Sequence, residues 1–261
     1  MSDSLERSLA FLRTLDERCA ERTERSCFGT AFFVDTLPRV WSLNFLAVDR
    51  GIAAGAGELA ADADRVQGAA ALEHRRLVVD DDRLGRAVAP GLRGLGWKAA
   101  SLLVMPHLQN GRLADPSLAR EVERETLDPV WAEGIRTEPS LDDPETVRQL
   151  VLQRQVVQRA IQTRYFAVVV GGRVASYCEL YSDGETAQIE GVLTLPEFRR
   201  RGLASAVVAR ALTESKPDHE LVFLLADSED WPQELYRKLG FTPVGRCWSF
   251  VRSPSGERKG N

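Results

Sequence analysis

The most informative segment of this chain is Thr194-Leu195-Pro196-Glu197-Phe198-Arg199-Arg200-Arg201-Gly202-Leu203-Ala204. It follows a run of apolar and β-branched residues and leads into an amphipathic segment, so it predicts a strand, a basic turn and a helix. A helix N-terminus gathers unpaired backbone N–H groups and the positive end of the helix dipole, and both attract anions. Gly202 and Ala204 keep bulky side chains away from an approaching phosphate. The stretch therefore predicts an anion site, although a solvated basic turn before a surface helix has the same pattern.

The segments before this turn predict a small antiparallel sheet. They run from Tyr165 to Val170, from Arg173 to Tyr181 and from Thr186 to Thr194, and all are rich in β-branched and aromatic residues. Gly171-Gly172 and Asp183-Gly184 between them are typical of tight hairpin turns. Three strands joined by hairpins are therefore expected immediately before the turn.

The segments around this sheet alternate between helical and extended patterns. We expect a helix from Asp143 to about Arg164, then, after the basic turn, a helix from Leu203 to about Glu214, a strand from Leu221 to Ala226, a helix from about Pro232 to Leu239 and a strand from Pro243 to Val251. Asp142-Asp143-Pro144 suits the start of the first helix, because proline is accepted in a first helical turn.

In order and content, the segment from about Leu118 to Val251 resembles the GCN5-related N-acetyltransferases (GNAT). Arg199 to Ala204 reads R-x-x-G-x-A and matches that family's acetyl-CoA pyrophosphate signature, Q/R-x-x-G-x-G/A. Glu234 to Phe241 is similar to the L-Y-x-K-x-G-F segment on the family's fourth helix. The resemblance implies a mixed α/β fold, in which helices flank a central, mostly antiparallel sheet whose fourth and fifth strands splay apart.

The resemblance also implies a cosubstrate, acetyl-CoA, and the residues that hold it. In this family the backbone of the fourth strand pairs with the pantetheine arm, and the turn binds the pyrophosphate. The residues expected at the cofactor are Val192, Leu193, Thr194, Arg199, Arg200, Arg201, Gly202, Leu203, Ala204 and Ser205. No metal is expected, because the four cysteines and three histidines lack the spacing of a zinc site.

Two residues are candidates for the proton transfers that acetyl transfer to an amine requires. Tyr236 occupies the position of the family's frequent general acid, although an aromatic ring that packs the helix on the sheet is the alternative. Glu190, on the fourth strand, is the candidate base, and a solvent-facing or ion-paired carboxylate is the alternative. Where many relatives carry Asn seven residues before the tyrosine, this chain has Glu229.

Other residues near these positions favour structural interpretations. Tyr177, Glu179 and Tyr181 share one face of a strand, which would line an acceptor pocket or form an exposed amphipathic face, and we favour the exposed face. Cys178 points the opposite way and is expected to be a buried thiol. The acidic loop of Asp227, Glu229 and Asp230 would cap the following helix or attract a cationic acceptor, and capping is favoured.

The first half of the chain is mixed α and β and contains no R-x-x-G-x-G/A motif. Its strand, helix and Leu95-Gly96-Trp97 ending echo the C-terminal unit, which suggests a tandem arrangement. We therefore expect a degenerate GNAT-like domain over residues 1–110, a linker over 111–117, the catalytic domain over 118–252 and a polar tail over 253–261. The first domain is expected to shape the acceptor side without binding acetyl-CoA.

The charge balance restricts the partners. With 34 Lys and Arg against 38 Asp and Glu, the net charge is −4, so no global field favours nucleic acid. No apolar run reaches the ~20 residues of a membrane helix, and we expect a cytoplasmic protein. The resemblance then implies direct acetyl transfer to the primary amine of a small molecule or peptide. The alternative is a non-catalytic acyl-CoA-binding or protein-interaction module that keeps the cofactor site.

Overall fold

The structure is a computed structural model that describes residues 2–111, 114–136 and 143–254. Within these ranges the helices are α1 Ser2–Cys19, α2 Ala56–Ala69, α3 Asp82–Gly94, α4 Asp128–Arg136, α5 Pro144–Ala160, α6 Leu203–Ser215 and α7 Pro232–Lys238. The strands are β1 Arg22–Arg25, β2 Gly29–Phe33, β3 Phe45–Val48, β4 Arg75–Val79, β5 Lys98–Pro106, β6 Arg120–Val122, β7 Gln162–Val170, β8 Arg173–Ser182, β9 Thr186–Thr194, β10 Leu221–Asp227 and β11 Gly245–Arg252. None of the described helices is long and apolar enough to cross a membrane.

The chain forms two compact units, and their boundaries cut across the sequence. Unit 1 contains residues 1–15 and 103–244, and unit 2 contains residues 16–102 and 245–261. The domain bounds expected from the sequence, 1–110 and 118–252, differ from this division at both ends of the chain. The expected linker and tail lie partly outside the described residues.

Unit 1 contains the sheet β5-β10-β9-β8-β7-β6. The strands from β6 to β9 pair antiparallel, as the hairpin turns predict. β9 and β10 pair in parallel, and their recorded register ends at Ile189 opposite Leu224, although β9 continues to Thr194. The sheet therefore opens between β9 and β10, which is the splay expected for the fourth and fifth strands.

Helix α6 lies against the sheet of unit 1 and supplies much of its core. Its fully buried apolar side chains are Ala206, Val207, Val208, Ala209, Ala211 and Leu212. All of these except Ala209 pack in one cluster with Phe166 of β7, Ile189 of β9 and Phe241. Burial of each valine, leucine, isoleucine or phenylalanine side chain contributes roughly 1.5–3 kcal/mol, so this helix is held chiefly by its apolar face. The rigid packing fixes where the helix begins.

Unit 2 contains the sheet β1-β2-β3-β4-β11. β4 lies between a parallel partner, β3, and an antiparallel partner, β11, whose Trp248 to Arg252 face Val79 to Arg75. In the core of this unit, the Trp248 ring stacks on Phe250 at 5.8 Å, and its Nε1 donates to Asp82 Oδ1 at 2.9 Å. The last strand of the chain thus belongs to unit 2. A strand that the sequence places in the C-terminal domain pairs instead with β4 of the N-terminal half.

This arrangement predicts the effect of a truncation after Val244. The variant lacks β11, so β4 loses its antiparallel partner, and the core loses Trp248 and Phe250. We expect amide hydrogen exchange of residues 75–79 to accelerate by several orders of magnitude, because those N–H groups report local opening of the sheet. A variant that ends at Arg252 keeps every strand of the described residues and is the control. Equal protection of β4 in both variants would contradict the assignment of β11.

A buried polar cluster in unit 2 depends on a neutral histidine. His74 is fully buried, stacks on Trp41 at 5.1 Å and hydrogen-bonds through Nε2 to the carbonyl oxygen of Asn44 at 2.9 Å. The Asn44 side chain accepts from Val34 N and donates to the carbonyl oxygens of Leu37 and Val40. Burial, with a smaller contribution from two neighbouring arginines, lowers the pKa of His74 from 6.5 to about 4.

A pH dependence of stability follows from this histidine. Because its pKa is lower in the folded state, its contribution is complete above pH 6.5 and is lost as the pH falls toward 4. The loss is about 3 kcal/mol if the full shift is expressed. We expect urea midpoints measured at pH 7 and pH 5 to differ more for the natural chain than for His74→Gln. The same difference in both proteins would rule out His74 as the cause.

Candidate active site

A cavity of about 610 Å³ opens in unit 1 where β9 and β10 part. Its wall combines the end of β9, the basic turn, the first turn of α6 and the start of α7. The lining residues are Val192, Leu193, Thr194, Phe198, Arg199, Arg200, Gly202, Leu203, Ala204, Ser205, Asp230, Trp231, Pro232, Leu235 and Tyr236. The cavity therefore brings together both motifs that the sequence singles out.

The basic turn has the backbone geometry of an anion site. Gly202 adopts φ +76° and Arg200 adopts φ +64°, both in the left-handed region, and no atom lies within 4 Å of a Cβ built on Gly202. The first hydrogen bond of α6 runs from Ala206 N to the Gly202 carbonyl at 3.1 Å. By helix geometry the N–H groups of the residues between them lack intrahelical acceptors. They are available to an anion in the turn.

The three arginines of the turn have different environments. Arg199 lines the cavity and donates through Nε to the Thr194 carbonyl at 3.2 Å, and the exposed Arg200 also lines the cavity. Arg201 is not part of the wall. Its guanidinium donates to the Glu197 carbonyl at 3.3 Å and lies 5.5 Å from the Phe198 ring centroid. Of the ten residues expected at the cofactor, Arg201 is the one that the structure places outside the cavity wall.

Tyr236 lies on α7 and forms part of the cavity wall. Its side chain is 7% exposed and packs edge-on against Phe241, with ring centroids 6.2 Å apart. Burial raises the pKa of Tyr236 well above its usual value, and the nearby Glu190 carboxylate raises it further. The phenol is therefore a protonated donor at neutral pH. The ring packs the helix on the sheet, and the same side chain borders the cavity.

Glu190 is the first residue of β9 beyond its last recorded pair with β10. It is half-buried and is not part of the cavity wall, and Gln188 Nε2 donates to its Oε2 at 2.7 Å. Burial raises the pKa of Glu190 to about 7, and the negative charge of Glu179 also contributes. A carboxyl group with this pKa exchanges a proton readily near neutral pH.

A bulge in β9 decides which way Glu190 faces. The register changes from Tyr177 opposite Leu193 to Glu179 opposite Glu190, so β9 contains one extra residue there. Gly191 adopts φ +61° at this point, as bulges often require. Ile189 and Val192 consequently pack in the same cluster, although strict alternation would place them on opposite faces.

The face of β8 that holds Tyr177, Glu179 and Tyr181 is buried, so the expected exposed amphipathic face is wrong. The three side chains are 3%, 2% and 7% exposed. Trp131 of α4 packs edge-on against Tyr177 with ring centroids 6.3 Å apart, and this helix covers part of the strand face. The sequence does not predict that a helix packs on this face, because α4 and α5 have the pattern of ordinary amphipathic helices.

Two further expectations concern Cys178 and the acidic loop. Cys178 is fully buried and its Sγ lies 3.4 Å from the Val207 carbonyl oxygen, which confirms a structural thiol. Asp227 and Asp230 accept from the N–H groups of Glu229 and Trp231, both at 2.8 Å. They shape the loop before α7, and Asp230 also borders the cavity.

Comparison with known proteins relates the segment that contains the cavity to one family. Residues 130–241 match the sequence profile of the acetyltransferase (GNAT) family. No curated protein matches the chain. Among solved structures, a conserved protein of unknown function from Staphylococcus epidermidis is similar with a TM-score of 0.67 at 12% identity, over 88% of this chain and 93% of the other.

Two further structures carry GNAT descriptions. A GCN5-related N-acetyltransferase from Kribbella flavida has a TM-score of 0.59 at 18% identity, over 97% of this chain and 96% of its own. A tandem GNAT protein from the clavulanic acid biosynthesis pathway has a TM-score of 0.51 at 15% identity, over 82% and 74%. At these identities the likeness concerns the fold, and it extends into the N-terminal half of this chain. Residues 130–241, which contain the cavity described above, are therefore similar to an acetyltransferase domain of the GNAT family.

Proposed function

We propose that the protein is an N-acetyltransferase that moves an acetyl group from acetyl-CoA directly to a primary amine of a small molecule or peptide. The observation that carries the proposal is the convergence, in one cavity, of an anion-binding turn and a buried tyrosine, with Glu190 at the point where the strands part. A pyrophosphate fits the turn because Gly202 leaves open space and the N–H groups of α6 face it. The cofactor residues of the proposal are those listed from the sequence, with Arg201 acting at most through its charge.

Each proposed residue has a defined chemical task. When bound, acetyl-CoA supplies an activated acetyl thioester. Glu190 accepts a proton from the acceptor ammonium, so that the nitrogen lone pair can form the C–N bond as the C–S bond breaks. Tyr236 donates its proton to the departing thiolate sulfur, and the phenolate regains a proton when the newly formed amide nitrogen loses its second one. The raised pKa of Tyr236 keeps its proton available, and the pKa of about 7 at Glu190 suits proton abstraction near neutral pH.

The proposal is tested by measuring thiol release from acetyl-CoA against a panel of primary amines, amino acids and peptides. We expect release that depends on one class of amine, and mass spectrometry should find that amine heavier by one acetyl group. Saturable acetyl-CoA binding without acetyl transfer to any member of a broad panel would contradict the enzyme proposal. It would support the non-catalytic acyl-CoA-binding module instead.

A further inference from the structure

The proposed base faces a buried carboxylate across the strand pair. Glu179 of β8 lies directly opposite Glu190 of β9. Its carboxylate also lies against the bulge, since a Cβ built on Gly191 would come within 3.0 Å of Glu179 Oε1. Two carboxylates in this arrangement cannot both hold a full negative charge without strong repulsion.

The two carboxylates have different hydrogen-bond donors. The Tyr181 hydroxyl donates to Glu179 Oε2 at 2.7 Å, and Arg154 Nε donates to Glu179 Oε1 at 3.3 Å. The Arg154 guanidinium lies 4.4 Å from the Trp131 ring centroid and also donates to the Leu150 carbonyl at 2.9 Å, so it is held in place. Glu190 accepts hydrogen bonds from two neutral amides, the Gln188 side chain at 2.7 Å and the Gly191 backbone N–H. Glu179 thus has a cationic donor, whereas these two donors to Glu190 are uncharged.

The groups that act on Glu190 come from several elements. Glu179 and the Tyr181 phenol lie on β8, Arg154 lies on α5 and the Tyr236 phenol lies on α7. The charge of Glu179 raises the proton affinity of Glu190, while the charge of Arg154 lowers it. Both phenols are uncharged at neutral pH. The ion pair on β8 and α5 thus contains two opposing charges that act on the same carboxyl group.

From this geometry we infer that Glu179 is a positioning residue. Its fixed charge, held by Arg154 and Tyr181, keeps a proton exchangeable on Glu190. Glu179 thereby sets the pH at which kcat/KM falls on the acidic side. The inference rests on the proposed function, because Glu190 is the base of that reaction. Glu179 itself transfers no proton and touches no reacting atom. Its effect is electrostatic and acts through its neighbour across the strand pair.

The first test is the pH dependence of kcat/KM for the full chain. In the natural protein we expect an acidic limb near pH 7. Glu179→Gln keeps the shape and an oxygen acceptor but removes the charge, so the limb should move down by about one pH unit. Arg154→Gln removes the opposing charge and should move the limb up. Opposite shifts of the acidic limb distinguish an electrostatic effect from a structural disturbance of the site. A structural disturbance would lower activity in both variants without moving their limbs in opposite directions.

Glu121→Gln is the matched control, because Glu121 is another ion-paired carboxylate of unit 1 but its partner is Arg164 of β7. The acidic limb of kcat/KM in Glu121→Gln should lie at the same pH as in the natural protein. An unchanged limb in Glu179→Gln, or equal shifts in both Glu179→Gln and Arg154→Gln, would overturn the inference.

A second measurement does not require activity. Infrared titration of protein with ¹³C-labelled glutamate carboxyl groups, with the Glu190→Gln spectrum subtracted, reports protonation of Glu190 alone. The same opposite shifts are expected in the two variants. If the natural protein transfers no acetyl group yet these shifts occur, the proposed function fails while the coupling of the two carboxyl groups stands. If transfer occurs without the shifts, the coupling fails alone.

Discussion

Gly202→Glu is expected to abolish acetyl-CoA binding, so that calorimetry detects one site per natural chain and none in the variant. The substitution places a carboxylate at the start of α6, where the turn N–H groups and the arginines Arg199 and Arg200 would meet a pyrophosphate. Like-charge repulsion at such short range outweighs any contact the longer side chain could make. Because no protein atom lies within 4 Å of a Cβ at this position, the variant has room for the side chain.

The control for this experiment separates charge from backbone strain. Gly202 adopts φ +76°, a conformation that strains any other residue. Gly202→Gln carries the same strain and a side chain of nearly the same size but no charge, so it is expected to bind acetyl-CoA with a modest loss of affinity, and the two variants should have similar Tm values. Unchanged affinity in Gly202→Glu would remove the turn from the cofactor site.

The second large effect is expected from Tyr236→Phe, which keeps the ring and removes only the hydroxyl group. General-acid catalysis contributes typically 10²–10⁴-fold, so kcat should fall by about that factor. Affinity for acetyl-CoA and Tm should stay nearly constant, since the edge-on contact with Phe241 remains. The measurement is kcat under conditions in which chemistry limits the rate.

Tyr236→Ala distinguishes catalysis from packing. The ring is 7% exposed, so its removal leaves a cavity in the core, and we expect a loss of about 3–5 kcal/mol in the free energy of unfolding. A purely structural tyrosine would show this loss together with a natural kcat in Tyr236→Phe. That combination would take Tyr236 out of the proposed mechanism.

The sequence predicts the part of the site that depends on local backbone chemistry. The basic turn with Gly202 predicts the start of a helix, and the β-branched and aromatic segments from Tyr165 to Thr194, with their glycine turns, predict the hairpins that lead to it. Both features are set by residues close together in the chain. The structure confirms the fold class for the same reason, since each hairpin partner is the next strand along the sequence.

The sequence does not predict the features that depend on distant parts of the chain. The bulge at Gly191 shifts Glu190 onto the face of Glu179, and period-two alternation contains no signal for an extra residue. The ion pair of Arg154 with Glu179 joins residues 25 positions apart on a helix and a strand. The pairing of β11 with β4 joins segments still further apart, and local patterns carry no information about it.

The pairing of the last strand with β4 also has a consequence for synthesis on the ribosome. Residues 16–102 emerge early, yet β4 lacks its antiparallel partner until residues 245–252, which form β11, have been made. At about 5–20 residues per second, the unpaired edge of β4 waits several seconds or longer in the nascent chain. An edge strand exposed for that time is a template for aggregation. Ribosome-bound chains stalled before Val244 should therefore recruit a nascent-chain chaperone, and release from it should coincide with emergence of residues 245–252.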